Sequence, residues 1–390
     1  MRRDQGVRFE PGAADTSPSR ETDAAPSPES SVAYGPDTRS AFASALRRYG
    51  DLYLQELVIT VVALALVVFF TADSPYFFTT SNAAALASFI APIAFFALAE
   101  VPILILGEID LSVGEVYVLT PFIVQQLNSH GTHVPLGIVI SLAICAVIGW
   151  LNGLITVKLH LPSFITTLGM TFALEGIILL GSNGAPANPV GGGILAIVLG
   201  GGVWAEALWA AGVMMVLFFM LRRTSFGLHI VAVGGNAESS RESGIKVDFI
   251  KIWCFVLCSF IGGLIGILDG YHIGSIDPDT PGLTFMFYGV AAAVIGGTAL
   301  TGGRGTMIGA GLGAIVLGTL EDGFHVISVS SFAYDLILGI AILIAMFLNV
   351  QIERATLRGV GRGSFARIVG LSFGRILDFS SSRRKEPVRP

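Results

Sequence analysis

The sequence predicts an all-α protein that threads a membrane about ten times. Three observations carry this expectation. Only 13% of the 390 residues are charged, half the ~25% usual in soluble domains. Apolar runs of about 18 residues recur along a chain that is 53% hydrophobic, with a mean hydropathy of +0.74. A bilayer explains such runs better than one soluble core does. Finally, the basic residues between those runs fall on one side of an alternating threading.

Residues 1–49 come first and are rich in Ser, Pro, Ala and charge (DTSPSRETDAAPSPESS). That composition cannot bury enough apolar surface to fold, so a disordered tail is expected. The first apolar run starts near Leu57, behind this tail, and no cleavable signal peptide is expected. The membrane domain, 50–350, comes next, with candidate spans at 55–72, 83–106, 113–127, 135–156, 162–181, 203–221, 250–272, 286–301, 305–320 and 331–350. Each approaches the ~20 residues that cross ~30 Å of hydrocarbon. The third, eighth and ninth are short. A basic tail, 351–390, closes the chain.

Between residues 49 and 350 the basic residues are Lys158, Arg222, Arg223, Arg241, Lys246, Lys251 and Arg304. Ten alternating spans with a cytoplasmic N-terminus put all of them on the cytoplasmic side or at its border. The outer loops then carry Asp73, Asp277, Asp279, Glu321 and Asp322 but no Lys or Arg. This is the positive-inside pattern, and it predicts both termini and the segment 222–251 in the cytoplasm. Spans two to five and seven to ten then form four-helix sets that enter from opposite sides, as an inverted repeat would.

Segment 222–251, RRTSFGLHIVAVGGNAESSRESGIKVDFIK, is the one long stretch between the spans that reads as water-soluble. Asn236 can accept from free amides at a helix start, Glu238 suits the first turn and Arg241 the last. Gly244 can take the left-handed conformation that stops a helix. A helix of about two turns is marginal in water, so the segment reads as a docking surface held by another protein.

The second polar landmark is GEIDLSVG (107–114), with Glu108, Asp110 and Ser112 at alternate positions and Glu115 directly after. Charge at membrane depth is costly and usually faces protein or a water-filled path. Asp110 or Ser112 capping the third span is a compatible reading. LPSFITTLGM (161–170) supplies Thr166 and Thr167, which suit bonds between helices, and ordinary helix packing explains them as well. The glycine-dense 291–313 predicts a tight reversal between two closely packed spans. Glu100, Glu175, Asp269 and Asp335, with His272 one turn from Asp269, mark either a polar path or groups reaching toward water at span ends.

Several functions are excluded or left without support. GGRGT lacks the Gly-x4-Gly-Lys-Ser/Thr pattern of a phosphate loop, so no nucleotide site is expected on this chain. Cys145, Cys254 and Cys258 lie in apolar runs with no metal spacing and no expected disulfide. No nucleophile–base set or metal-ligand cluster stands out, and a net charge of −5 argues for no nucleic-acid partner.

Four motifs in this order resemble the membrane permease subunits of ABC importers for ribose, xylose and related monosaccharides. They are GEIDLSVG, NGLITVKLHLPSFITTLGM, GLHIVAVGGNAESSRESGI and AAAVIGGTALTGGRGTMIGAGLGAIVLG. The resemblance covers roughly 55–350. It implies a vitamin-B12/ribose-importer-like permease arrangement in the bacterial inner membrane, working as a homodimer or close heterodimer. It further implies a separate cytoplasmic ATPase that binds ATP and Mg, and an extracytoplasmic sugar-binding protein. The coupling helix would lie at about 236–243, with Gly234, Gly235, Asn236, Glu238, Arg241, Gly244 and Ile245 in the docking segment and Ile230, Val231 and Val233 adding buried area. The path residues would be Glu108, Asp110, Ser112, Glu115, Thr166, Glu175, Phe285 and Tyr288.

The chain departs from the family pattern at three places. Met286, Phe287 and Tyr288 stand where a Glu-Leu-Asp triplet is usual, Glu175 stands where Arg is common, and Glu115 replaces a small residue. These bear on the substrate more than on the mechanism. The expected function is ATP-driven monosaccharide import by alternating access. A permease for another small solute, such as a branched-chain amino acid or a nucleoside, is the near alternative, and a self-contained secondary transporter the more distant one.

Overall fold

The structure is a computed structural model that describes residues 38–330 except Val203, and residues 333, 336–340, 342–344 and 347; side chains are described from Glu56. Residues 1–37 of the predicted N-terminal tail, the basic tail 351–390 and half of the tenth span, with Asp335, lie outside the described residues, whereas 38–49, expected as disordered tail, are helical as the start of the first helix. Contacts divide the chain between Arg47 and Arg48, and the larger unit, from Arg48 onward, holds the helical bundle.

Seven helices are long and apolar enough to cross a membrane. They are α1 (Thr38–Asp73, apolar from Glu56), α2 (Thr80–Ile105), α4 (Val134–Lys158), α5 (Ser163–Ser182), α7 (Ala205–Arg223), α10 (Val247–Ile273) and α12 (Met307–Val326). Between them stand shorter elements: α3 (Val113–Ser129), α6 (Ile194–Ala196, continuing as a π-turn to Gly201), α8 (Ser225–Gly235), α9 (Ala237–Glu242) and α11 (Gly282–Ile295). The count of ten crossing helices is not met among the described residues. The third and eighth spans are too short, and half of the tenth lies outside the described residues.

α3 has 17 residues and α11 has 14, or about 25 and 21 Å of helix. Each is a half-helix with a non-helical lead-in. α2 ends on Gly107, at φ +74, and α10 ends on Gly274, at φ +85. From there GEIDLSVG (107–114) and GSIDPDTPG (274–282) both leave the helical path. In each, an aspartate side chain accepts from the amide two residues on. Ser112 N donates to Asp110 Oδ1 and Asp279 N to Asp277 Oδ1, both at 3.0 Å. The half-helices then start against one another, for a Cβ on Gly114 would lie 2.3 Å from Gly282 O, and one on Gly282 equally close to Gly114 O. Residues 286–301, expected as a span, therefore divide between the end of α11 and the glycine turn after it.

The packing follows the same relation. α10 packs most on α4 and α3, while α2 packs most on α12 and α11. α2–α3–α4 thus corresponds to α10–α11–α12, as the inverted sets predict. Glycine makes the closest of these approaches possible. A Cβ at Gly266 of α10 would sit 2.1 Å from Tyr117 O of α3. α2 and α10 form the centre, and the run Phe95–Ala99 of α2 is almost wholly buried. α1, α4, α5 and α7 present Val68, Val139, Leu180 and Leu208 outward, the surface that lipid or another subunit requires.

Candidate functional site

The α8–α9 end of the bundle carries the first candidate site. Thr224 caps α8 by accepting from Gly227 N at 3.2 Å. Asn236 is extended, and its Oδ1 accepts from Ser239 N at 3.0 Å, which starts α9. Gly244, at φ +84, ends it: its amide donates to Arg241 O and the Ile245 amide to Ser240 O, each at 3.0 Å. Of the six residues of α9 only Ser240 is buried. Asn236, Glu238, Arg241, Glu242 and Gly244 all stand exposed, and Ile245 is half-buried against the core.

Two expectations for this segment change. Ile230 and Val233 are buried in the bundle's own core, so they are not available to a partner; Val231 and Leu228 are the exposed apolar residues of α8. Arg241 is also not free, since its Nη2 donates to Asp248 of α10 at 3.0 Å. Asp248 lies 4.0 Å from Lys158 at the end of α4.

α8 ends in a backbone junction. The Gly303 amide donates to Ile105 O at 2.8 Å. A Cβ at Gly234 would lie 1.9 Å from that same oxygen and 3.0 Å from Gly303 N. Gly302 and Gly303 have φ of +88 and +80, the left-handed region in which other residues are strained.

The second candidate site is the 107–114 lead-in. Its polar groups are satisfied by side chains from three helices. The Ile109 amide donates to Ser163 Oγ at 3.2 Å and the Leu111 amide to Thr167 Oγ1 at 3.1 Å. Asn152 Nδ2 donates to Ser112 Oγ at 2.7 Å, and Ser112 Oγ donates to Asp110 Oδ1 at 2.6 Å. Ser259 Oγ approaches Asp110 Oδ2 at 3.4 Å. Glu108 forms an ion pair with Lys251. Ser112 occupies the N-cap position of α3, yet its hydroxyl makes no capping bond; it serves Asp110 instead. The network is a tertiary staple that lets non-helical backbone exist inside the bundle.

A third polar group lies further along α3. Tyr117 donates to Asp269 Oδ2 of α10 at 2.5 Å, and Glu206 of α7 lies beside Asp269. Phe96, Tyr117, Phe285 and Tyr288 form a chain of ring contacts with centroids 5.6, 6.0 and 6.5 Å apart. Glu100 is fully buried next to Asp110, and its Oε1 accepts from the Cys258 thiol at 3.8 Å. Glu100 and Asp269 are therefore not groups reaching for water at span ends.

Of the expected path residues, Glu108, Asp110 and Ser112 belong to one network, while Phe285 and Tyr288 gather around Tyr117. Glu115 is buried on α3 and faces the half-buried Glu175 of α5. Thr166 is buried with its hydroxyl unpaired. Reading the sequence missed Asn152 as a polar partner, the roles of Ser163, Ser259 and Lys251, and Glu206 altogether. Glu206 carried the usual signal, an acid in an apolar run. The others needed tertiary information. Among the described residues no group of three His, Cys, Asp or Glu side chains could hold a metal.

A helical bundle with broken central helices, a buried polar core and one exposed capped helix defines an integral-membrane permease. The chain belongs to the family described as branched-chain amino acid transport system / permease component, whose profile matches residues 82–346. It is 32% identical to the xylose/arabinose import permease protein XylH of Sulfolobus acidocaldarius, over 77% of this chain and 86% of that one. It is 31% identical to the ribose import permease protein RbsC of Escherichia coli K12, over 78% of this chain and 97% of that one. It is also 32% identical to the probable ABC transporter permease protein YphD of the same strain, over 80% and 94%. No solved structure matches it.

Proposed function

We propose that this chain is the membrane subunit of an ATP-driven importer that moves a monosaccharide inward by alternating access. The observation that carries the reading is the near full-length similarity to import permeases whose names specify ribose and xylose/arabinose. A capped helix that offers its polar face to solvent supports it.

In this reading α9 docks in a groove of a separate cytoplasmic ATPase, which binds ATP and Mg; this chain binds no cofactor. Asn236, Glu238, Arg241 and Gly244 form or fix the docking face, Gly234 and Gly235 join it to the bundle, and Ile245 anchors its far end. A second copy of the chain completes the path, lipid covers the remaining apolar faces, and an extracytoplasmic binding protein delivers the sugar. The termini and segment 222–251 lie in the cytoplasm, which the distribution of Lys and Arg supports. Glu108, Asp110 and Ser112 hold the broken third span. Glu115, Glu175, Thr166, Phe285 and Tyr288 border the path.

ATP-driven closure of the ATPase displaces α9, and that displacement biases two arrangements of the spans. The bias requires contacts that differ between the states. Replacing Glu238 and Arg241 together by alanine tests the reading. The expected result is loss of the ATPase from the purified complex, with loss of import. Unchanged association with unchanged import would sink α9 as the docking element, and import that persists without any ATPase would favour a self-contained secondary transporter.

A further inference from the structure

We infer that Gly234 is the positioning residue through which movement of α9 enters both halves of the bundle. The inference rests on the reading of α9 as the helix that an ATPase moves. Gly234 lies two residues before Asn236, the cap of α9. It touches no side chain at its closest approach. A Cβ there would meet Ile105 O at 1.9 Å, Ile105 C at 2.8 Å and Gly303 N at 3.0 Å, all backbone atoms.

Ile105 and Gly303 belong to different halves of the chain. Ile105 is the last residue of α2, one residue before the non-helical lead-in that carries Asp110. Gly303 lies in the turn between α11 and α12. The two are joined by the bond from Gly303 N to Ile105 O at 2.8 Å. Gly302 closes the junction: a Cβ on it would lie 3.0 Å from Ile105 O, 3.1 Å from Gly234 O and 3.2 Å from Gly107 N. Three segments therefore meet backbone to backbone.

Such a contact is stiff. A side chain absorbs a displacement by changing rotamer, whereas packed backbone passes it on. Gly234 can thus push on the end of α2 and on the α11–α12 turn at once. Gly235, its neighbour, has nothing within 4 Å of where its Cβ would lie. Its Cα nevertheless lies beside Gly303, so the matched partner of Gly234 is Gly212 of α7, where a Cβ also meets nothing within 4 Å.

The test uses the full chain assembled with its ATPase in lipid vesicles, with hydrogen exchange followed with and without ATP plus vanadate. In the wild-type complex the trapped state should change exchange in α9 and at Gly303 together, by about tenfold. Gly212→Ala, in α7 and outside the docking segment, should keep both responses. Gly234→Ala should still assemble and still respond in α9, but lose the response at Gly303. A response in α9 with none at Gly303 in the wild type overturns the proposal, and so does full transmission in Gly234→Ala. If Gly234→Ala does not assemble, the wild-type result decides. If the wild-type chain itself does not assemble with an ATPase, the importer reading falls, and this proposal with it.

Discussion

Arg241 of α9 donates to Asp248 in the first turn of α10 at 3.0 Å, with Lys158 of α4 4.0 Å from the same carboxyl. Both members of the closer pair are about half exposed or more. Solvent screens such a pair, so it contributes little to folding and acts on the orientation of α9. Arg241→Ala is expected to cost less than about 1 kcal/mol in thermal unfolding, while weakening ATPase association clearly. Asp248→Asn should act in the same direction. Thermal unfolding beside a titrated pull-down separates the two effects; a large loss of stability with association intact would contradict this account.

Asn236 controls whether α9 exists in the free chain. Its Oδ1 satisfies one of the first amides, and removing such a cap costs about 1 kcal/mol. Asn236→Ala should raise the exchange rate of the Ser239 amide, and Asn236→Ser should largely restore it. The long helices should be unaffected in both.

Asn152 is fully buried and donates to Ser112 Oγ at 2.7 Å. Asn152→Leu removes a donor from a buried network. The expected loss of stability is about 1–3 kcal/mol, read as a lower unfolding temperature in detergent. Stability equal to wild type would show that the 107–114 lead-in is held without Asn152.

Gly266 and Gly169 make a second matched pair. At Gly266 a Cβ would meet Tyr117 O at 2.1 Å, and at Gly169 it would meet nothing within 4 Å. Gly266→Ala should therefore push α3 off α10 and destabilise by about 1–3 kcal/mol. Gly169→Ala should be neutral in the isolated chain, and a loss of import there with stability intact would place α5 at an interface between copies.

The long spans and the limits of α9 were legible in the sequence, because hydropathy, Asn236 and Gly244 are local signals. The half-helices α3 and α11 were not. Their missing halves, 107–112 and 274–281, are non-helical backbone with amides that bond outside the segment: to Ser163 and Thr167 for the first, and to Ala187 O, which accepts from Ile276 N at 2.8 Å, for the second. Apolar composition cannot separate such a lead-in from a turn of helix. The pairing of GEIDLSVG with GSIDPDTPG emerges only from the structure, through the shared left-handed glycine and aspartate turn. The resemblance places Ile230 and Val233 in the docking segment, but their apolar character shows only that a face is buried, not what buries it.

The most direct test of the account is uptake into vesicles containing this chain and its ATPase. A panel of labelled monosaccharides that includes D-ribose and D-xylose would be supplied with the matching binding protein. The account predicts accumulation of one sugar that requires ATP and stops when Glu238 and Arg241 are both replaced by alanine. Accumulation by this chain without the ATPase, driven by an ion gradient and indifferent to those replacements, would contradict it.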